Sequence, residues 1–212
     1  MVQATPAAPA FDAVVIGASA GGIAALGRVL VALPPDFPAP VIVVQHLSPF
    51  HPSALAELLQ RRCDLAVRWA RTGDPLAPRT VYLAPRARHL VVTRHGCELS
   101  DAPCVHFARP AADVLFTSAA RAWGPRALGV VLTGAGTDGA AGARAVKEGG
   151  GVVIAQDEAT SAFFSMPGTA IRRGNADFVL PLDAIPAALV TLVMVPGARS
   201  LFQTGRAKSV AA

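Results

Sequence analysis

The feature that most constrains this chain is a series of short, uninterrupted apolar runs, rich in β-branched residues and separated by stretches with helical spacing. Ala13-Val-Val-Ile16 runs into Gly17, and Ile23 to Leu33 follows with Ile, Leu and Val at helical intervals. Val41-Ile-Val-Val44 is a second run. Leu128 to Leu132 and Val152 to Ala155 are two more, flanking a helix expected from about Gly139 to Glu148. A strand with one wet face alternates apolar and polar residues, whereas a strand that is apolar throughout needs cover on both faces. Such strands alternating with helices predict a three-layer, doubly wound α/β fold with a mainly parallel sheet.

The middle of the chain departs from that rhythm. Pro52 to Arg62 is expected to be helical, with Pro52 in the first turn. Ala66 to Trp69, Val81 to Ala84, His89 to Thr93 and Glu98-Leu99 read as shorter strands, and His95-Gly96 makes an inserted antiparallel hairpin expected there. Ala111 to Trp123 is helical again. Phe178 to Leu180 reads as the last strand, Asp183 as an N-cap, and Ala187 to Val195 as a buried terminal helix.

At 212 residues and 52% hydrophobic, the chain suits a single domain with a substantial core. That domain is expected over 12–195, after a disordered leader over 1–11 and before a flexible tail over 196–212. The leader carries no positive charge ahead of an apolar stretch, so it is not a signal peptide. No run of 18 apolar residues is present, which argues against membrane insertion. Cys63, Cys97 and Cys104 are an odd set without C-x-x-C spacing, which argues against a disulfide framework or a zinc site and suits a reducing cytoplasm. The formal charge of +5 favours an acidic partner. The arginines are scattered, with adjacent pairs only at Arg61-Arg62 and Arg172-Arg173, and aromatics do not interleave with them, so nucleic acid is not the expected partner.

In open parallel sheets, sites form at the carboxyl ends of the strands. Three polar segments fall there: Gly17-Ala-Ser-Ala-Gly-Gly22, Gln45-His46 and Thr133-Gly-Ala-Gly-Thr-Asp-Gly139. The first is not a dinucleotide loop of the G-x-G-x-x-G form, because Ser19 stands at the second glycine, and the second strand ends in Gln45-His46 rather than an acid. It does match G-x-S-x-G, with Ser19 at a helix N-terminus where free N–H groups favour an oxyanion. Each residue also has a bland reading: Ser19 and Asp138 as helix caps, His46 as a hydrogen-bonded structural residue. Of the other histidines, His51 falls in an expected loop, and His89, His95 and His106 fall in the hairpin region and are expected to be exposed; Arg109 could anchor a helix start or touch an acidic substrate and reads as structural. Together Ser19, His46 and Asp138 are what acyl transfer requires. A serine needs a neutral imidazole to take its proton, and a carboxylate orients that imidazole and stabilises its cation. The order Ser, His, Asp argues against the α/β-hydrolase family.

Six ordered blocks then resemble a known family. They are Val15-Ile-Gly-Ala-Ser-Ala-Gly-Gly22, Val44-Gln-His-Leu47, Val81-Tyr-Leu-Ala-Pro85, Arg109-Pro-Ala-Ala-Asp-Val-Leu-Phe116, Leu132-Thr-Gly-Ala-Gly-Thr-Asp-Gly-Ala140 and Ala155-Gln-Asp-Glu158 with Ser165-Met-Pro167. From about Asp12 to Leu189 the chain is similar to the catalytic domain of chemoreceptor glutamate methylesterases. The resemblance implies hydrolysis of glutamyl methyl esters on cytoplasmic receptor helices, with deamidation of receptor glutamines as a further activity. It assigns Ser19 as nucleophile, His46 as base, Asp138 as the orienting acid, and the backbone N–H groups of Ala20 and Ala135 as oxyanion donors. It implies no metal or organic cofactor, and a methylated chemoreceptor or similar acidic helical protein as partner. Ala20 stands where Thr is frequent, Ala135 where Met is common, Trp69 where an acid is frequent and Gly168 where a charge is frequent; these departures bear on substrate identity. With the first strand beginning near Asp12, a receiver domain is not expected within the chain, and control would fall to a separate regulatory protein, if any.

Overall fold

The computed structural model describes residues 10–48, 52–195 and 197–198. Because β1 (Ala13–Ala18) has no polar side chain, both of its faces can be covered. Val14 and Ile16 enter one core and Ala13 and Val15 the other. β2 (Val41–Gln45), β7 (Ala127–Val131) and β8 (Val152–Gln156) are also buried at every position, with a polar side chain only at the closing Gln45 and Gln156. The short edge strands β3 (Ala66–Trp69) and β9 (Phe178–Leu180) retain partly exposed residues. With β4 (Thr80–Leu83) they form one seven-stranded sheet in the order β3-β4-β2-β1-β7-β8-β9. Every pairing in it is parallel.

Helices cover both faces. On one side α1 (Gly22–Val31), α2 (Leu55–Gln60) and α6 (Ile185–Met194) bury Leu26, Leu30, Leu59 and Leu189. On the other, α3 (Ala112–Trp123), α4 (Ala140–Glu148) and α5 (Ser165–Arg172) bury Leu115, Phe116, Val146 and Met166. The hairpin β5 (His89–Thr93) and β6 (Gly96–Ser100) is antiparallel and packs on this second side, where the Val92 amide donates to Ser118 Oγ of α3 at 3.0 Å. The turn falls on Arg94 and His95, one residue before the expected His95-Gly96, and Gly96, at a φ of +145°, opens β6 where a Cβ would lie 2.3 Å from Asp74 O.

Strand order reverses between β1 and β7, so the crevice at their carboxyl ends is where a site is expected. Gly17 brings the start of α3 to that crevice: a Cβ on it would lie 2.7 Å from Ala112 Cβ, closer than any packing allows.

Local expectations fail at three places. Pro52, Ser53 and Ala54 precede α2 rather than forming its first turn, and Ser53 Oγ accepts the Leu55 amide at 3.2 Å. Asp183 does not cap α6, whose N-cap is Ala184 without a side-chain bond; it pairs instead with Arg28 of α1. The preceding turn leaves its carboxylate beside another helix's guanidinium, which a local pattern does not encode. Third, His89, expected to be exposed, is buried. Its Nε2 donates to Pro103 O at 3.0 Å and its Nδ1 accepts the Ala111 amide at 3.2 Å, because the hairpin folds down onto α3. The expected leader and tail lie outside the described residues apart from Ala10, Phe11, Gly197 and Ala198; Phe11 is part of the core. His51 also lies outside them. Among the described residues no helix is long and apolar enough to cross a membrane.

Candidate active site

Ser19 follows β1 directly, and its amide donates to Thr133 O at 3.0 Å, tying the serine turn to the loop after β7. It does not cap α1: the N-cap is Gly21, at a φ of +76°, with no side-chain bond. The bland reading of Ser19 therefore fails, and its hydroxyl makes no hydrogen bond to another described residue. Gly134 provides the close approach, since a Cβ there would lie 2.8 Å from Ser19 Cβ and 2.2 Å from Met166 Sδ.

His46 follows β2 directly, and its amide donates to Ala18 O at 3.0 Å. The neighbouring Gln45 is buried, and its Nε2 donates to Ser19 O at 2.8 Å and His46 O at 2.9 Å. One side chain thus clamps the backbones of both residues. Gln156, the last residue of β8, does the same for the next loop. Its Oε1 accepts the Thr133 amide at 2.8 Å and its Nε2 donates to Thr160 O at 2.8 Å. Neither glutamine stands out in the sequence as functional, although an amide closing an apolar strand run is the pattern that could have marked them.

Asp138 is buried, and it does not cap the helix it precedes, since Gly139 is the N-cap of α4 and has no side-chain bond. Its Oδ2 accepts His46 Nε2 and the Ala112 amide, both at 2.7 Å; its Oδ1 accepts the Asp113 and Gly139 amides, both at 2.9 Å. Two of these donors are the first amides of α3, so Asp138 caps a helix from another part of the chain, where the helix dipole favours a negative charge. Asp113 returns the arrangement: its Oδ1 accepts the Gly142 amide in the first turn of α4 at 2.6 Å. The two helices cap each other through their carboxylates.

The electrostatics follow from these contacts. Burial pushes the Asp138 carboxyl up, but the His46 hydrogen bond and the Asp113 and Ala112 amides together outweigh it and hold the group below its ordinary value. Asp113 is held above its ordinary value, chiefly by burial, against the Gly142 amide, with the Asp138 charge adding to the rise. An ionised Asp138 can only accept, so His46 Nε2 is the donor to it, and in the neutral imidazole Nδ1 is then the nitrogen with the lone pair that a base requires. Among the described residues no hydrogen bond joins the Ser19 hydroxyl to His46. The imidazole–carboxylate pair is formed, and the serine is not joined to it. The Ala20 and Ala135 amides donate to no other described residue.

His46 lines two cavities. One, of about 700 Å³, also contains Ser19, Ala20, Gln45, Leu58 and Arg62. The other, of about 530 Å³, contains Ala135, Thr137, Asp138, His106 and Arg109. His106 is exposed, as expected, and its Nε2 lies 3.0 Å from Asp113 Oδ2. Arg109 donates to the Asp101 and Ala102 carbonyls, in keeping with its structural reading. Asp157 closes a turn by accepting the Thr160 amide and hydroxyl. The three cysteines are free thiols.

A family model described as CheB methylesterase matches residues 14–189. A protein-glutamate methylesterase/protein-glutamine glutaminase of Anaeromyxobacter dehalogenans is 53% identical over 188 residues, covering 88% of this chain and 55% of that protein. One from Moorella thermoacetica is 47% identical, covering 89% of this chain and 46% of the relative. The chain thus spans about half the length of the curated relatives it matches. The crystal structure of the Thermotoga maritima CheB methylesterase catalytic domain superposes with a TM-score of 0.83 at 39% identity, covering 86% of this chain and 99% of that one.

Proposed function

The chain belongs to the CheB methylesterase family, and from that premise we propose that it is a serine hydrolase removing methyl groups from glutamyl methyl esters on the cytoplasmic helices of chemoreceptors. The observation that carries the reading is the 2.7 Å bond between His46 and Asp138 at the sheet edge where Ser19 emerges. In this reading Ser19 Oγ attacks the ester carbonyl while His46 Nδ1 takes its proton. The negative charge that develops on the carbonyl oxygen is met by the Ala20 and Ala135 amides, each such donor contributing on the order of 3 kcal/mol. His46 then gives its proton to the departing methoxide, and methanol leaves. Water, deprotonated by the same nitrogen, hydrolyses the acyl-serine to a free glutamate carboxylate and restores the hydroxyl. A glutamine amide follows the same course and releases ammonia. Asp138 stays ionised throughout and stabilises the imidazolium.

The setting proposed is the cytoplasm, with a methylated receptor or a similar acidic helical protein as substrate and a separate protein as regulator. Methanol release from a methylated chemoreceptor, compared between the wild-type chain and Ser19→Ala, tests the proposal. Release should fall to background in the variant; equal rates would refute it.

A further inference from the structure

The large apolar side chains left exposed are concentrated around the site. Ile23 and Leu58 are exposed and line the cavity of Ser19. Phe163 is exposed, its carbonyl accepting the Gly134 amide and its own amide bonded to Thr133 Oγ1. Phe107 lines the cavity of His46 and Asp138 and is fully exposed, at 104%. A grouping of this kind beside a cavity marks a surface for a partner.

Phe107 is the least expected of the four. It sits at the tip of a tight turn in which the amides of Val105 and Ala108 each donate to the other's carbonyl, at 3.1 and 2.9 Å. The two corner residues, His106 and Phe107, have φ of 50° and 60°. Two successive left-handed residues are the habit of Asn-Gly, because a Cβ is unfavourable there. Here the corners are an imidazole and a benzyl group. The first is tied to Asp113 Oδ2 at 3.0 Å, and the second is fully exposed and in neither core cluster of the described residues. Strain of this sort persists where the residue serves a function.

The surrounding charge says what would meet it. Arg62 is exposed in the Ser19 cavity and makes no ion pair with a described residue, and Arg109 and His106 line the other cavity. An occupant therefore offers carboxylates to the arginines and an apolar strip to the phenylalanine, which is the pattern of an acidic amphipathic helix. We propose that the Val105–Ala108 turn docks the protein substrate, Phe107 inserting between apolar side chains of an acidic amphipathic helix whose ester-bearing residue reaches Ser19. This rests on the reading of the substrate given above and adds to it the element that grips the helix.

The test follows methanol release from a methylated chemoreceptor by the full chain. Phe107→Ala should raise KM about ten-fold with kcat little altered, as expected for loss of an aromatic anchor. Labelling of Ser19 by a fluorophosphonate needs no helix and should stay within about two-fold of wild type. Phe107→Gly suits the left-handed corner, so it should melt no lower than wild type yet show the same rise in KM. Val179→Ala, which truncates an exposed apolar residue on β9 far along the sheet, should alter neither. Unchanged KM in both Phe107 variants overturns the docking inference alone; absence of methanol release by the wild-type chain overturns the substrate reading and this inference with it.

Discussion

Replacing Asp138 by asparagine tests the relay and the fold in one experiment. The carboxylate accepts four N–H groups, two on each oxygen: His46 and Ala112 on Oδ2, Asp113 and Gly139 on Oδ1. Asparagine offers one acceptor and one donor, so in either orientation its NH₂ confronts two N–H groups and two bonds are lost. Hydrogen bonds to a buried charge contribute about 1.5–3 kcal/mol each, so the loss is on the order of 3 kcal/mol at the lower end of that range. For a domain of this size that lowers Tm by about 6–12 °C. If the amide oxygen takes the Oδ1 place and keeps the Asp113 and Gly139 amides, its NH₂ turns to His46 and Ala112 and imposes the wrong tautomer on the imidazole, for which a fall of about 10⁴-fold in kcat is the precedent. The sign of the pH effect follows from the lowered carboxyl of Asp138: its contribution to stability is fully present above its unfolded value and is lost as pH falls through the folded one. The variant should therefore lose less of its stability in acid than the wild type. Methanol release and thermal melts at neutral and acid pH measure both, beside His46→Ala, which should match the loss of rate with a smaller drop in Tm. A variant that loses rate but melts within about 1 °C of wild type refutes the capping role. One that keeps the rate refutes the relay.

Other outcomes follow from particular contacts. Gly134→Ala places a methyl against Ser19 Cβ and Met166 Sδ, and the thioether can swing aside while the serine cannot without moving β1; fluorophosphonate labelling should slow by about ten-fold or more, with a modest fall in Tm. Gly142→Ala puts a Cβ 2.5 Å from Phe116 Cβ and 3.0 Å from the Asp113 Cα, so α3 and α4 must separate; about 1–3 kcal/mol of stability should be lost, read by denaturant unfolding. Burial pushes the Cys97 thiol up to about 12 and raises that of Cys63, whereas Cys104 is exposed. A thiol reagent at neutral pH should therefore modify Cys104 rapidly in the native chain and the other two only on unfolding.

Much of this protein was legible along the chain because the determining interactions are local. An apolar run such as Val41–Val44 must be covered on both faces wherever it lies, and Ser19, His46 and Asp138 each follow such a run, so placing them at one sheet edge needed only the rule that parallel strands end together. What the chain did not reveal depends on which elements become neighbours. The alternative reading of Asp138 was a local cap, and its carboxylate instead caps α3; Asp183 read as a cap and pairs with α1; His89 read as exposed and is covered once the hairpin settles on α3. The clamps made by Gln45 and Gln156, the bond between Asp113 and His106, and the isolation of Phe107 belong to the same class. Periodicity encodes which face of an element is apolar, and local chemistry encodes where it starts and stops. Only strand order and helix packing decide which free amides a buried carboxylate meets, and those amides, more than the residue's own position in the sequence, set its charge and its role.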